Sequence, residues 1–310
     1  RKAEEDQGPL GQIFAPKIGI TTNTRPGWEN DFVRSLDEAA EVGYRAIETF
    51  PKYVQPYFHR PAVLHEMLES RGLRLETVSN GSGMEMNFVD PLRASKLLED
   101  HMRLVRFIKT FGCKHLKINT GWRSRSGTTD EDLREMAKRL NDLGKLTMEE
   151  GVKLGVHAHL WRELESRHEV ETIMQLTETK YVNLVLDTGH YTMAAMDPVE
   201  MTRNYIARII EFHFKDTKPE YRGGNKGLIP RYGERSAMLE DTLKKPIFFE
   251  LGKGGVDFPA ILSILRRNSY QGWITVELDS TLHTPKESAQ ISKKYLENVL
   301  GLKLASFAIR

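Results

Sequence analysis

Four short apolar segments of this chain end in side chains that bind metal ions. VHAH carries His157, LVLD closes on Asp187, EFHFK carries His213, and ITVELD carries Glu277. Two imidazoles and two carboxylates are all nitrogen or oxygen donors, and four of them meeting at one point can hold a single divalent cation. Two nitrogen ligands favour Mn²⁺, Co²⁺, Fe²⁺ or Zn²⁺ over Mg²⁺, which prefers oxygen. Each residue alone has a plainer reading. A lone histidine is usually a satisfied structural group, an aspartate before Thr-Gly-His can cap the next turn, and a glutamate can pair with Arg or Lys. Their joint occurrence at the ends of four successive strand-like segments is what points to a metal.

Further candidates follow from strand periodicity. Residues two apart on a strand share a face, so His159 follows His157, Lys215 follows His213, and Asp279 follows Glu277 toward the same rim. His159, His190 and Lys215 are candidates for proton transfer or for steadying an enolate. Glu48, at the end of another apolar segment, is a candidate base or hydroxyl acceptor, with an ion pair to arginine as the plainer role. Trp122, Trp161 and Tyr191 lie just past segment ends, where aromatic rings stack on sugars or pack beneath loops. Arg222 and Arg231, with Arg123 and Arg125, are loop cations suited to a phosphate or carboxylate, and solvated surface is their default.

The elements that must position these groups alternate regularly. Apolar, often β-branched runs at 17–22, 45–50, 73–79, 115–119, 153–159, 182–187, 209–215 and 273–279 read as parallel strands buried on both faces. Between them, Phe32, Leu36, Ala39 and Ala40 follow helical spacing, as do Leu97, Leu98, Met102, Val105 and Ile108. Gly43, Gly72, Gly112, Gly151 and Gly272 precede the next strands, where glycine favours the left-handed turn that closes a helix. Eight such units predict an α/β fold of the (β/α)₈ TIM-barrel type, with the site at the C-terminal strand ends. An open doubly wound sheet would show a Gly-rich fingerprint after its first strand, and ITTNTRPGW is not one. Residues 1–15 read as a flexible tail and 16–310 as one barrel domain. A loop of about 40 residues, at about 217–255, is far longer than a usual connection and suits a lid or a subunit contact, so a homo-oligomer is compatible.

Composition narrows the classes. The 310 residues are 39% hydrophobic and 28% charged, with a formal net charge of +2, which advertises neither a nucleic-acid nor a membrane surface. One cysteine, Cys113, excludes a disulfide framework and a thiolate cluster. The cytoplasm is the expected location, although a chain beginning at Arg1 leaves a removed signal peptide open.

The stretches 184–216, 249–258 and 272–279, with their D-x-G-H, H-x-K-D and G-x-V-D-F elements, resemble the xylose isomerase-like barrel superfamily. The resemblance implies a metal held by an acid on strand five, Asp on six, His on seven and Glu on eight. Asp187, His213 and Glu277 match the last three. Strand five departs from the pattern, because His157-Ala158-His159 stands where epimerases of the group place Glu, and a histidine there looks more like the inosose dehydratase branch. Two carboxylates and two neutral imidazoles bring a divalent ion to about neutral, a stronger Lewis acid than a site with three carboxylates. The expectation is a metal-dependent enzyme acting on a keto-sugar, keto-glycoside or inosose through α-proton abstraction and an enolate, leaning toward elimination, with a small carbohydrate or cyclitol as its partner. The alternative is a sugar or sugar-phosphate isomerase or epimerase. Remote alternatives are an AP endonuclease-like phosphodiesterase and a non-catalytic sugar-binding barrel.

Overall fold

The structure, a computed structural model, describes residues 14–224 and 246–304. Eight parallel strands form one sheet: β1 (Lys17–Thr21), β2 (Ala46–Thr49), β3 (Arg74–Val78), β4 (His115–Asn119), β5 (Lys153–His157), β6 (Val182–Asp187), β7 (Ile209–Phe214) and β8 (Trp273–Val276). Their order is 3-2-1-8-7-6-5-4, so first and last strands in sequence are neighbours. The open seam between β3 and β4 is closed mainly by side chains. Thr77 Oγ1 donates to the His115 carbonyl at 2.8 Å. The Asn80 carboxamide takes the Asn119 N–H at 2.7 Å and donates to the Asn119 carbonyl at 2.8 Å, in place of a strand partner. The result is the α/β TIM barrel that the alternation predicts.

Helices α1 (Phe32–Val42), α2 (Pro51–Val54), α3 (Pro61–Glu69), α4 (Ala94–Thr110), α5 (Asp130–Glu149), α6 (Arg167–Leu176), α7 (Thr188–Met193), α8 (Pro198–Tyr205), α9 (Phe258–Arg267) and α10 (Pro285–Asn298) fill the connections. They bury apolar stripes such as Leu97, Leu104, Val105 and Ile108 of α4. Reciprocal capping boxes start three of them: Thr129 with Asp132, Ser166 with Glu169, and Thr284 with Glu287. Of the predicted closing glycines, Gly43, Gly72, Gly112 and Gly151 are left-handed, whereas Gly272 is not; a Cβ there would meet the Tyr270 hydroxyl, so its constraint is close approach.

Strands β4 and β6 match their predicted spans, and the others are trimmed at one end or both. The trims matter on β5, which ends at His157. His159 lies beyond the strand, where its N–H donates to the Leu164 carbonyl at 3.0 Å instead of continuing a ladder. Glu277 also follows the last residue of β8, but its N–H still reaches the Phe214 carbonyl at 3.2 Å. At the start of the expected long loop, Asp216–Thr217 pairs antiparallel with Phe248–Phe249 farther along it, a small two-stranded ribbon. Arg231 lies outside the described residues, as does most of the predicted tail. No helix among the described residues is long and apolar enough to cross a membrane.

Candidate active site

Strand register assembles the site. It sets Asn119 beside His157, Asp187 beside His213, and His213 beside Thr275, two residues before Glu277. Ligand atoms of His157, Asp187, His213 and Glu277 all lie within 4.8 Å of one another, and all four residues are buried. Two ligands on opposite sides of one ion, each bonded at about 2.1 Å, stand about 4.2 Å apart, so the cluster has the dimensions and donor chemistry for one divalent cation.

The surroundings orient each donor. The Asn119 carboxamide oxygen accepts His157 Nδ1–H at 2.7 Å, which turns the bare Nε2 toward Asp187 Oδ2, 3.4 Å away. Asp187 divides its oxygens. Oδ1 accepts the Gly189 and His190 N–H groups at the start of α7, so the helix-capping role and the inward-facing role coexist in one carboxylate. His213 presents Nδ1 to Glu277 at 2.6 Å, while its Nε2 faces Glu48 at 2.8 Å and Glu211 at 3.0 Å. Such outer partners fix the ring that a metal would bind. Burial alone would raise the carboxyl of Asp187, but Lys215 and His190 outweigh it and hold it well below its ordinary range. Burial likewise opposes charge on His213, yet Glu277 and Glu48 raise its pKa well above that of a free imidazole. A cation entering here therefore displaces a proton from His213.

Lys215 is the hub of the outer side. Its buried ammonium reaches Glu277 Oε2 at 2.9 Å, Asp187 Oδ2 at 3.2 Å and Asp279 Oδ2 at 3.0 Å. It also donates to His190 Nε2 at 3.1 Å. An ammonium can only donate, so that nitrogen accepts and the hydrogen of His190 sits on Nδ1. Burial, reinforced by Lys215, lowers the His190 pKa to about 4. The Gly189 of D-x-G-H gives the lysine its path, because a Cβ there would stand 2.7 Å from Lys215 Cγ. His159 stacks on His190 with ring centroids 3.6 Å apart. Its Nδ1–H donates to the Leu160 carbonyl at 2.7 Å, leaving Nε2 as a bare acceptor. Burial and the neighbouring His190 keep this imidazole neutral, well below its ordinary pKa.

Above lies a cavity of about 240 Å³ whose wall includes His159, His190, Trp122, Trp161, Asp279 and Phe248. The two tryptophans expected to meet substrate thus stand at it. Other expectations change. Glu48 does not line the cavity: fully buried, it bonds Lys117 Nζ at 3.1 Å and His213 at 2.8 Å beneath the cluster, and its ion-pair partner is a lysine, not an arginine. Arg222 is exposed, pairs with Asp257, and stands away from this cavity. Tyr191 is buried in the core rather than facing a sugar. Arg123 forms a two-pronged pair with Glu169, at 2.9 and 2.6 Å, that ties the loop after β4 to the first turn of α6.

Sequence reasoning missed Asn119, Lys117 and Glu211, which support the cluster, and Arg25 and Arg162 at the cavity wall. It also missed the role of Asp216, whose carboxylate accepts backbone N–H groups of Gly252, Gly254 and Val256 and so ties the G-x-V-D-F loop to the end of β7. The H-x-K-D motif carried that signal, with its K and D now accounted for.

Residues 36–299 match the xylose isomerase-like TIM barrel family, and the chain belongs to it. It is similar to an inosose dehydratase of Clostridium botulinum (strain Alaska E43 / Type E3), 27% identical over 296 residues that span 90% of this chain and 94% of that one. Among solved structures, the IOLI protein with a bound zinc atom superposes with a TM-score of 0.68 at 18% identity, covering 92% of this chain and 98% of that one. A probable 3-DHS dehydratase from Bacillus anthracis does so with a TM-score of 0.68 at 14% identity, covering 91% and 99%.

Proposed function

We propose that this chain is a divalent metal-dependent dehydratase or lyase acting on a keto-sugar, keto-glycoside or inosose, with His159 as the group that moves the proton. The observation that carries the reading is the neutral His159 at the cavity wall, with a bare Nε2 and its other nitrogen committed to a carbonyl, beside the four-donor cluster. A single ion held by His157, Asp187, His213 and Glu277 supplies Lewis acidity toward the substrate carbonyl when bound.

His159 Nε2 takes the proton from the carbon next to the carbonyl, and the electrons of that C–H bond pass into an enolate. His190, which lines the cavity with its hydrogen on Nδ1, stabilises the negative charge, and Lys215, bonded to its Nε2, reinforces it from behind. Collapse of the enolate breaks the bond from the next carbon to its hydroxyl or alkoxyl group, and the imidazolium of His159 returns the proton to the departing oxygen. A carbon–carbon double bond forms, and water or an alcohol leaves. One base serves both transfers, in keeping with the absence of a carboxylate at position 157. Glu48 and Asn119 take positioning roles through His213 and His157. The inosose dehydratase relatives support the elimination branch.

The test is a panel of keto-sugars, keto-glycosides and inososes offered to the Mn²⁺- or Zn²⁺-loaded protein in D₂O. The expected result is solvent deuterium at the carbon next to the carbonyl together with release of water or aglycone. Deuterium uptake without elimination would assign the isomerase or epimerase branch. Absence of both across the panel would overturn the enolate reading.

A further inference from the structure

Besides the histidines, the wall of the cavity carries cationic donors. Arg25 reaches it from the loop after β1, tethered through Nε to the Asp279 carbonyl at 3.3 Å. Arg162 reaches it from the loop after β5, its guanidinium 3.5 Å over the Trp122 ring. Trp161 lines the same cavity. It is only 6% exposed, and its Nε1–H is buried with no acceptor among the described residues. A buried donor without a partner is costly unless a ligand completes it.

Trp161 is also held in an unfavourable backbone conformation, with φ at +66°, left-handed for a bulky side chain. Its neighbours enforce this: the Glu165 carboxylate accepts the Trp161 N–H, and the Arg123 N–H donates to the Trp161 carbonyl at 2.9 Å. Strain kept at a cavity wall is a mark of a binding position. The carboxylate at this wall, Asp279, is already committed to Lys215 at 3.0 Å.

We propose that this wall is a subsite for an anionic oxygen group of the substrate, a carboxylate or a phosphate, held by Arg25, Arg162 and the Trp161 Nε1–H. The inference rests on the proposed reading of the cavity as the substrate site and narrows the substrate to a carbonyl compound carrying an acid group. An arginine fork matches such a group in shape and charge, and an indole N–H can only donate to it.

The test is calorimetric titration of the Mn²⁺-loaded protein at low salt with D-glucose, D-glucuronate and D-glucose 6-phosphate. The expected result is that one of the two anions binds at least about tenfold more tightly than glucose. Tighter binding of glucuronate assigns a carboxylate, and of the phosphate ester a phosphate. Arg162→Met, and independently the exposed-site variant Arg25→Met, should each cut the anion's advantage by about fivefold or more, and Trp161→Phe should weaken the anion by a smaller factor. The proposal is overturned if neither anion exceeds glucose, including the case in which none of the three binds. It is equally overturned if the preference survives both arginine variants, since the anion then sits on the metal. Deuterium uptake in the panel above is independent of this outcome, so loss of the anion subsite and loss of the enolate reading are told apart.

Discussion

Among the described residues, two clusters of histidines and carboxylates that share no member lie inside this barrel, bridged by a third made of Glu48, Glu211 and His213. The upper, His157, Asp187, His213 and Glu277, lies at the C-terminal strand ends beneath the cavity. The lower, Glu76, His115 and Glu211, is built from the same donor types within the same mutual distance, deeper in the barrel. Their partners separate them. In the lower cluster His115 Nε2 bonds Glu211 at 2.7 Å, while Glu76 accepts from Thr275 at 2.6 Å through one oxygen and its other oxygen has no partner among the described residues. Burial, with Glu211 and Glu48 adding repulsion, pushes the Glu76 carboxyl well above its ordinary range and so favours its protonated form. In the upper cluster the donors are aimed by outside groups, and His159 connects them to open space. Donor identity alone does not make a metal site; what separates the two is that outside partners orient the upper donors beside the cavity, whereas the lower ones lie away from it.

The largest effect that sharpens this contrast is on turnover. His159→Ala should lower it by about 10²–10⁴-fold, the usual contribution of a general acid or base, while metal content by elemental analysis stays at the wild-type value. Wild-type turnover in the variant would remove His159 from the chemistry. The lower cluster should respond in stability instead. His115→Ala strips the buried Glu211 of one of its two histidine partners and should cost about 1–3 kcal/mol in urea unfolding, with metal stoichiometry unchanged. Loss of the ion from a folded His115→Ala protein would erase the distinction between the layers.

A smaller effect tests how the upper donors are aimed. Asn119→Ala removes the acceptor that fixes the His157 tautomer and should weaken metal affinity by about 10–100-fold, measured by competition with a chelator. Wild-type affinity would mean that His157 needs no such support or is not a ligand. Affinity in all forms should fall as pH falls, because the proton that His213 holds above its ordinary pKa must leave before the ion enters.

The upper cluster was legible in the sequence because strand ends are marked by flanking glycines and turns, and alternation tells which residues share a face. The lower one carried the same signal two residues earlier: Glu211 precedes His213, His115 precedes Lys117, and Thr275 precedes Glu277. It went unread because a polar residue inside an apolar run has no partner visible in sequence. Glu48 shows the limit, since its bond to His213 joins residues 165 apart in the chain, and only barrel closure brings them together. Arg222 shows the same limit for loops, as its pairing with Asp257 depends on how the chain returns above the barrel.

The smallest effect is on stability in the lower layer, and making one substitution in both layers isolates it. Glu277→Gln should abolish metal binding, because it neutralises a ligand that His213 and Lys215 hold charged. Glu76→Gln should change stability by only about 1 kcal/mol at neutral pH. A protonated carboxyl and a carboxamide are close in shape; either keeps an oxygen for Thr275, and the absence of a side chain at Gly19 leaves room for the other atom. The pH profile is the finer readout. A carboxyl whose pKa is raised in the folded state binds protons there more than in the unfolded chain. Its contribution is therefore fully present at low pH and is lost as pH rises from its ordinary value near 4.5 through the raised folded value. Urea unfolding of wild type should show that decline, and Glu76→Gln, which cannot titrate, should flatten it. A loss of several kcal/mol in Glu76→Gln at neutral pH, with an unchanged slope, would mean that Glu76 is charged and that the lower cluster is held together as the upper one is.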